Sequence, residues 1–318
     1  ALPAVVGTAV NSLYNIVDRI FIGNGVSEYA LSGLAITFPI LIFLMAFGML
    51  VGAGASVRVS ILLGRKDIKE AEHTLANAIF LTFFTQALTI IPCYIFMEPL
   101  LRLFGASERT LPYAMEYLQY VVPANIFSAL SFGYNAIMRA SGYPRKAMIT
   151  MIIGAMTNVV LDYIFIYPLG MGISGAAIAT VISMIVCSVY VLSHFFRKDS
   201  IVRFHRSAFR LSLPVIGGIT AIGVAPFAMH LTGSLVNIIM NRSFVSYGET
   251  ADATDLAIGA FGIINGYAML FFMIIIGVAQ GMQPIVGFNY GAKNPGRVKS
   301  AYRYSCGVNL LVSFLGFA

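Results

Sequence analysis

Apolar residues in this chain come in long unbroken runs, and polar residues gather in the short segments between them. The runs lie at roughly 2–22, 31–57, 74–97, 111–137, 147–167, 173–196, 213–244, 256–286 and 300–318. A helix rises ~1.5 Å per residue and needs about 20 apolar residues to cross a hydrocarbon layer. The pattern therefore predicts nine membrane-spanning helices, the last cut short. A membrane β-barrel would show short segments alternating with period two, and these continuous runs exclude it. Pro39, Pro92, Pro123, Pro226 and Pro284 fall inside runs, where kinks are expected.

Composition agrees. Hydrophobic residues make up 58% and charged residues 10% of the 318, with a mean hydropathy of +0.85; a soluble globule carries about 25% charge. The fold class is an all-α polytopic membrane protein. The net charge of +7 does not mark a nucleic-acid partner, because the basic residues are spread over alternate loops. Arg58, Arg65, Lys66 and Lys69 follow the second run, and Arg139, Arg145 and Lys146 the fourth. Arg197, Lys198, Arg203, Arg206 and Arg210 follow the sixth, and Lys293, Arg297, Lys299 and Arg303 the eighth. These are sixteen of the twenty Lys and Arg. The positive-inside rule then places these loops and the N-terminus in the cytoplasm, and the loop holding Glu249, Asp252 and Asp255 outside with Arg242. Cys93, Cys187 and Cys306 sit inside apolar runs without paired spacing and read as small hydrophobes.

The chain also repeats. Ser12-Leu-Tyr-Asn15-Ile-Val resembles Ser234-Leu-Val-Asn237-Ile-Ile at an offset of 222, and Gly64-Arg-Lys-Asp67 resembles Gly291-Ala-Lys-Asn294 at 227. A six-helix repeat keeps its orientation, so the halves should be related by an axis along the membrane normal. The expected organisation is an N-terminal six-helix bundle over 1–196, a cytoplasmic linker over 197–212, and about three helices of a second, incomplete bundle over 213–318. Doubling the repeat implies a parent of twelve spans. The chain, which starts at Ala1 without Met, is expected to be an incomplete copy.

Chemistry concentrates in few places. Asp18 lies late in the first run, where a carboxylate costs roughly 2.5 kcal/mol or more unless it faces protein or a water-filled cavity. Asn11, Asn15 and Asp18 share one helical face, and both asparagines are candidates to line a cavity. Asp162 is the other deep acid, one turn beyond Asn158. Counted from the cytoplasmic side, Asp18 lies ~24 Å and Asp162 ~22 Å along their helices, with Thr180 near the same level. Such oxygens suit a proton or a hard cation such as Na⁺. A polar clamp between helices is the alternative, as is simple pairing of Asp18 with Arg19. His194, His205 and His73 read as solvated rim residues, and His230 as a packed or cavity-facing one. Gly52-Ala-Gly54 and Gly170-Met-Gly172 lack the Lys-Ser/Thr continuation of a phosphate loop and read as close helix packing.

Tyr14-Asn-Ile-Val-Asp-Arg-Ile-Phe-Ile-Gly23, Gly64-Arg-Lys-Asp67, Arg139-Ala-Ser-Gly-Tyr-Pro144 and Asn158-x3-Asp162 together resemble the multidrug and toxic compound extrusion (MATE) family. The MepA-like and DinF-like bacterial branches are nearest in pattern, and the resemblance runs through family helices one to eight and into nine. It implies two pseudo-symmetric six-helix bundles facing each other across a cleft. It also implies a secondary antiporter exporting amphipathic, often cationic compounds in exchange for H⁺ or Na⁺, acting as a monomer in the bacterial inner membrane. A DinF-like cation site maps onto Asp18, Asn158, Asp162 and Thr180. The NorM-like branch places a glutamate in helix seven, but Gly223 to Val245 contains no acid. The resemblance implies no enzymatic activity and no cofactor beyond the coupling ion. The rival reading is a lipid-linked oligosaccharide flippase, whose anionic substrate calls for a cavity rich in Arg and Lys. Within or at the edges of the spans there are few beyond Arg19, Arg58 and Arg242.

Overall fold

The computed structural model describes the backbone of residues 2–247 and 251–317. Side chains are described there except for Asn15, Glu28, Asn241, Val245, residues 251–270 and Phe317. The chain is 86% helical, with no strand among the described residues. Its helices are α1 (Leu2–Gly25), α2 (Glu28–Gly64), α3 (Ile68–Ile95), α4 (Met97–Leu103), α5 (Leu111–Ala140), α6 (Pro144–Ile166), α7 (Gly172–His194), α8 (Leu213–Tyr247), α9 (Ala251–Gly291) and α10 (Pro295–Phe317). The nine long helices match the nine apolar runs. Seven stretches meet a strict test of length and apolarity for crossing a membrane, and α1 and α10 reach 24 and 23 residues. The short α4 was not expected. It buries only Met97 and Leu101, and its Arg102 pairs with Glu98 and Glu108 at 3.0 and 2.6 Å in the open.

Local chemistry sets the helix ends. The Ser27 hydroxyl accepts the Ala30 N–H at the start of α2, and Asp67 accepts the Glu70 N–H at the start of α3, satisfying donors that the first turn leaves unpaired. Pro112 and Pro144 occupy the first turns of α5 and α6, where no N–H is needed. The five prolines expected to kink spans all lie inside continuous helices.

The repeat is visible in backbone detail. Lys66 and Lys293, 227 residues apart, both take the left-handed conformation at φ 64° and 55°, which is costly for a side-chain-bearing residue. Each is followed by a residue whose side chain accepts an N–H three positions on, from Asp67 to Glu70 and from Asn294 to Arg297. Contacts between the halves are reciprocal as well. Gly64 lies so close to the Phe288 carbonyl that a Cβ has no room, and Gly291 lies equally close to the carbonyl of Ile61. Phe288 and Ile61 are themselves 227 apart. Here α2 and α9 converge at the end of the molecule that carries Lys66 and Lys293, joined also by the Ser60 hydroxyl donating to the Pro284 carbonyl at 2.8 Å. Along the seam α2 runs antiparallel to α8, with Gly54 on Ile219, Gly223 on Leu50, and Ser234 donating to the Pro39 carbonyl at 3.0 Å. Across the pseudo-axis, Gly277 of α9 packs on Val5 and Thr8 of α1.

Gly52 and Gly54 are packing glycines as read from the sequence, Gly52 meeting Gly133 of α5. Gly170 and Gly172 are not. Both have positive φ, 59° and 60°, nothing lies within 4 Å of a Cβ on Gly170, and they form the left-handed turn between α6 and α7 instead.

The connection between α7 and α8 is strapped to α3. Asn77, fully buried, donates to the Arg210 carbonyl at 3.0 Å and accepts the Ser212 N–H at 2.9 Å. Val202 and Ala208 are buried, and the rings of Phe204 and Phe209 stack against Phe195, Phe196 and Phe80. Lys146 donates to Asp199 at 3.3 Å, which holds that carboxyl below its usual range. The strap corrects the rim reading of His194. That ring is 3% exposed, with Nε2 3.3 Å from the Ser200 hydroxyl and Tyr143 edge-on at 4.5 Å. His205 is exposed, while His73 and His230 are half-buried.

Candidate functional site

Three helices of the first half carry the polar residues singled out above, and a fourth adds one more. On α1, Asp18 points with Ala4, Gly7 and Ile22 into the half, because these positions fall on one face and are buried. On α6, Asn158 and Asp162 sit one turn apart and are 1% and 0% exposed. Thr180 of α7 is half-buried and accepts from the Asn158 amide at 3.4 Å. The carboxyl groups of Asp18 and Asp162 lie within hydrogen-bonding reach of each other. The structure thus brings Asp18, Asn158, Asp162 and Thr180 together inside the first half, facing inward. Asp18 makes no ion pair with Arg19, whose guanidinium instead lies over the Phe38 ring at 4.8 Å.

Four oxygens at this place receive no hydrogen bond from the protein: Asp18 Oδ1, Asn158 Oδ1 and both oxygens of Asp162. Acceptors buried without donors are costly, and two carboxylates in contact away from water repel strongly. A shared proton or a small monovalent cation would relieve both. The acceptors left open are all oxygens, so a hard cation fits the donor set. Among the described residues no three His, Cys, Asp or Glu side chains group as a metal site, and the three cysteines are unpaired.

Tyr117 of α5 also belongs here and was not anticipated. Its side chain is 5% exposed, and it lies beside Thr180, Tyr14, Asp18 and Asp162, near enough to the two acids to feel their charge. Depth was the available signal. Tyr117 is ~9 Å below the start of α5 and Asp18 ~10 Å below the end of α1, by helical rise. Of the two cavity candidates, Asn11 is half-buried on the Asp18 face, and the Asn15 side chain lies outside the described residues. Arg242 is exposed. The acidic loop expected beside it, Glu249 to Asp255, also falls outside the described residues and side chains.

Fold and site together define an all-helical membrane protein of two related halves, with an acidic pair sealed inside one of them. The MatE family model matches residues 3–164 and 227–318, and the chain belongs to that family. Multidrug export protein MepA of Staphylococcus aureus is 26% identical over 303 residues, 95% of this chain and 66% of the relative. MepA of Staphylococcus saprophyticus is 27% identical over 290 residues, 91% of this chain and 63% of the relative. The chain therefore spans just under two thirds of the length of these relatives. Among solved structures, an outward-facing multidrug resistance MATE family transporter of the MOP superfamily superposes with a TM-score of 0.87 at 25% identity, covering 99% of this chain and 68% of the other. A MOP superfamily transporter from Pyrococcus furiosus gives 0.89 at 26%, covering 99% and 68%.

Proposed function

We propose that the protein is a secondary active antiporter that exports amphipathic, often cationic compounds in exchange for H⁺ or Na⁺. Asp18 and Asp162 bind the driving cation, Asn158 and Thr180 supply neutral oxygens, and the Tyr117 hydroxyl positions Thr180. The substrate occupies a cleft between a bundle over 1–196 and the second-half helices of 213–318, with 197–212 as the cytoplasmic linker. The protein sits in the bacterial inner membrane, N-terminus inside, and acts as a monomer. Alternating access follows from one half rocking on the other, with the contacts of Gly64 and Gly291 closing the end that carries Lys66 and Lys293.

One observation carries this reading. A carboxylate pair with three oxygens that no protein donor reaches is sealed within a single half, away from the seam where a substrate would enter. A structural clamp has no need for unsatisfied acceptors. The test is export of a cationic dye from proteoliposomes holding the full-length gene product, with H⁺ and Na⁺ gradients imposed separately. Export driven by one gradient and not the other supports the proposal and names the ion. Export indifferent to both would remove it.

A further inference from the structure

Arg19 lies within α1 and makes no ion pair, although the Asp18 carboxyl next to it in sequence is near enough to act on it electrostatically. Among the described residues no acid lies within ion-pair distance of it, and its recorded neighbour is the Phe38 ring. A guanidinium at membrane depth is costly, and it persists where it snorkels to the surface or serves a site.

The geometry rules out snorkelling. Both α1 and α2 can be measured from the turn that joins them, Gly25 to Glu28. The Arg19 Cα lies ~9 Å below that end, while Phe38 lies ~15 Å below it along α2. The Phe38 ring tilts back toward the start of α2, so it lies between these two depths, and the guanidinium above it does not reach the near surface. This follows the general tilt of helical side chains toward the N-terminus.

The direction is equally defined. On the α1 wheel, Val5, Thr8, Ser12 and Arg19 fall within about 60° of one another, whereas Asp18 points about 100° away from Arg19. Val5 and Thr8 touch Gly277 of α9, so this stripe faces the second half. Phe38 adjoins Pro39, whose carbonyl accepts the Ser234 hydroxyl of α8. Arg19 and Phe38 together put a planar cation and an aromatic face at the junction of α1, α2 and the opposing half.

We infer that Arg19 is an anion-recognising residue of the cleft, and that this protein handles amphiphiles bearing a carboxylate or similar oxyanion beside an aromatic body. This deepens the transport reading and rests on it. The fork of guanidinium donors matches an oxyanion, and the Phe38 ring beneath it offers a surface on which an aromatic ligand can lie. A single Arg suits one such group on an otherwise neutral or zwitterionic compound. A pyrophosphate-linked substrate would call for several cations.

Rhodamine 110 and its methyl ester, rhodamine 123, differ by one free carboxylate and make a matched probe pair. Their binding to the purified full-length protein in neutral detergent, read by fluorescence polarisation, gives an affinity ratio. Arg19→Gln should shift that ratio against the free carboxylate by about tenfold, and Arg19→Lys should recover part of the shift. An unchanged ratio in Arg19→Gln overturns the inference. So does retention of phosphatidylglycerol by the wild type and its loss in Arg19→Gln with no dye discrimination, which would give the residue to lipid. Gradient-driven export of the methyl ester is scored separately. If it occurs while the ratio stays fixed, the Arg19 inference alone fails. If neither dye is exported under any gradient, the transport reading fails, and the binding ratio still reports on Arg19.

Discussion

α1 and α8 occupy matching places in the two halves and use them differently. They share Ser12 with Ser234 and Asn15 with Asn237. Where α1 then has Asp18 and Arg19, α8 has Met240 and Asn241. By contrast, one contact between the halves, and the turn beside it in each half, are closely duplicated. Gly64 and Gly291, Lys66 and Lys293, and Asp67 and Asn294 repeat their geometry at one offset. The scaffold is thus kept in both copies while the charge is kept in one. Backbone approach and left-handed turns are demands of the joint, and a joint between related halves makes each demand twice. A buried acid is needed only where partners exist for it.

The contrast can be broken at several points. Asp18→Asn should reduce gradient-driven efflux per folded molecule to the level of empty liposomes. It should leave dye binding in detergent intact, since shape is nearly kept and one buried charge is removed. Near-normal efflux would sink the carboxylate-pair mechanism. Met240→Asp places the acid in the wrong copy, without Asn158, Asp162 or Thr180 to meet it. It should cost about 2.5–3.5 kcal/mol, seen as a lower yield of monodisperse protein after heating, and full tolerance would mean that the α8 position is wet. Gly64→Ala and Gly291→Ala should each destabilise this arrangement by about 1–3 kcal/mol, and by matched amounts. Clearly unequal losses in the same heating assay would show the joint to be less symmetric than its backbone. Tyr117→Phe should have the smallest effect. Loss of one hydrogen bond of about 0.5–1.5 kcal/mol should shift the half-saturating concentration of the driving ion by about twofold to tenfold without altering melting. No shift would assign the hydroxyl to packing alone.

Much of this architecture is legible in the residues because spanning helices obey a simple rule. Continuous apolar runs have one stable form in lipid, so the nine long helices follow from length alone. The depth at which Asp18 and Asp162 sit follows from helical rise. Tyr117 was hidden because 16 Tyr and 24 Phe crowd the chain, and nothing in the run from Leu111 separates one ring from its neighbours. His194 was misread because its burial is imposed from a distance. Ser200 and Tyr143 cover it only once the strap has folded back, and that depends on Asn77, over a hundred residues earlier in the chain. Gly170 and Gly172 were misassigned because a glycine pair looks the same whether it serves a close approach or a positive φ. The Arg19 direction was open to a helical wheel. That its guanidinium stops short of the near surface was not, since that rests on where Phe38 lies in the antiparallel neighbour.

The strap also changes what the backbone connection between the halves is for. With Val202 and Ala208 buried and Asn77 holding both the Arg210 carbonyl and the Ser212 N–H, the segment is bound along its length to the first half. Continuity of the chain then contributes little to keeping the first half attached to its own strap. Arg197, Lys198 and Arg206 are exposed and open to trypsin. A cut at any of them leaves the flanking anchors and the α2–α8 seam in place. Protein nicked there should still travel as one particle through a sizing column in detergent, and come apart into two fragments only on a denaturing gel.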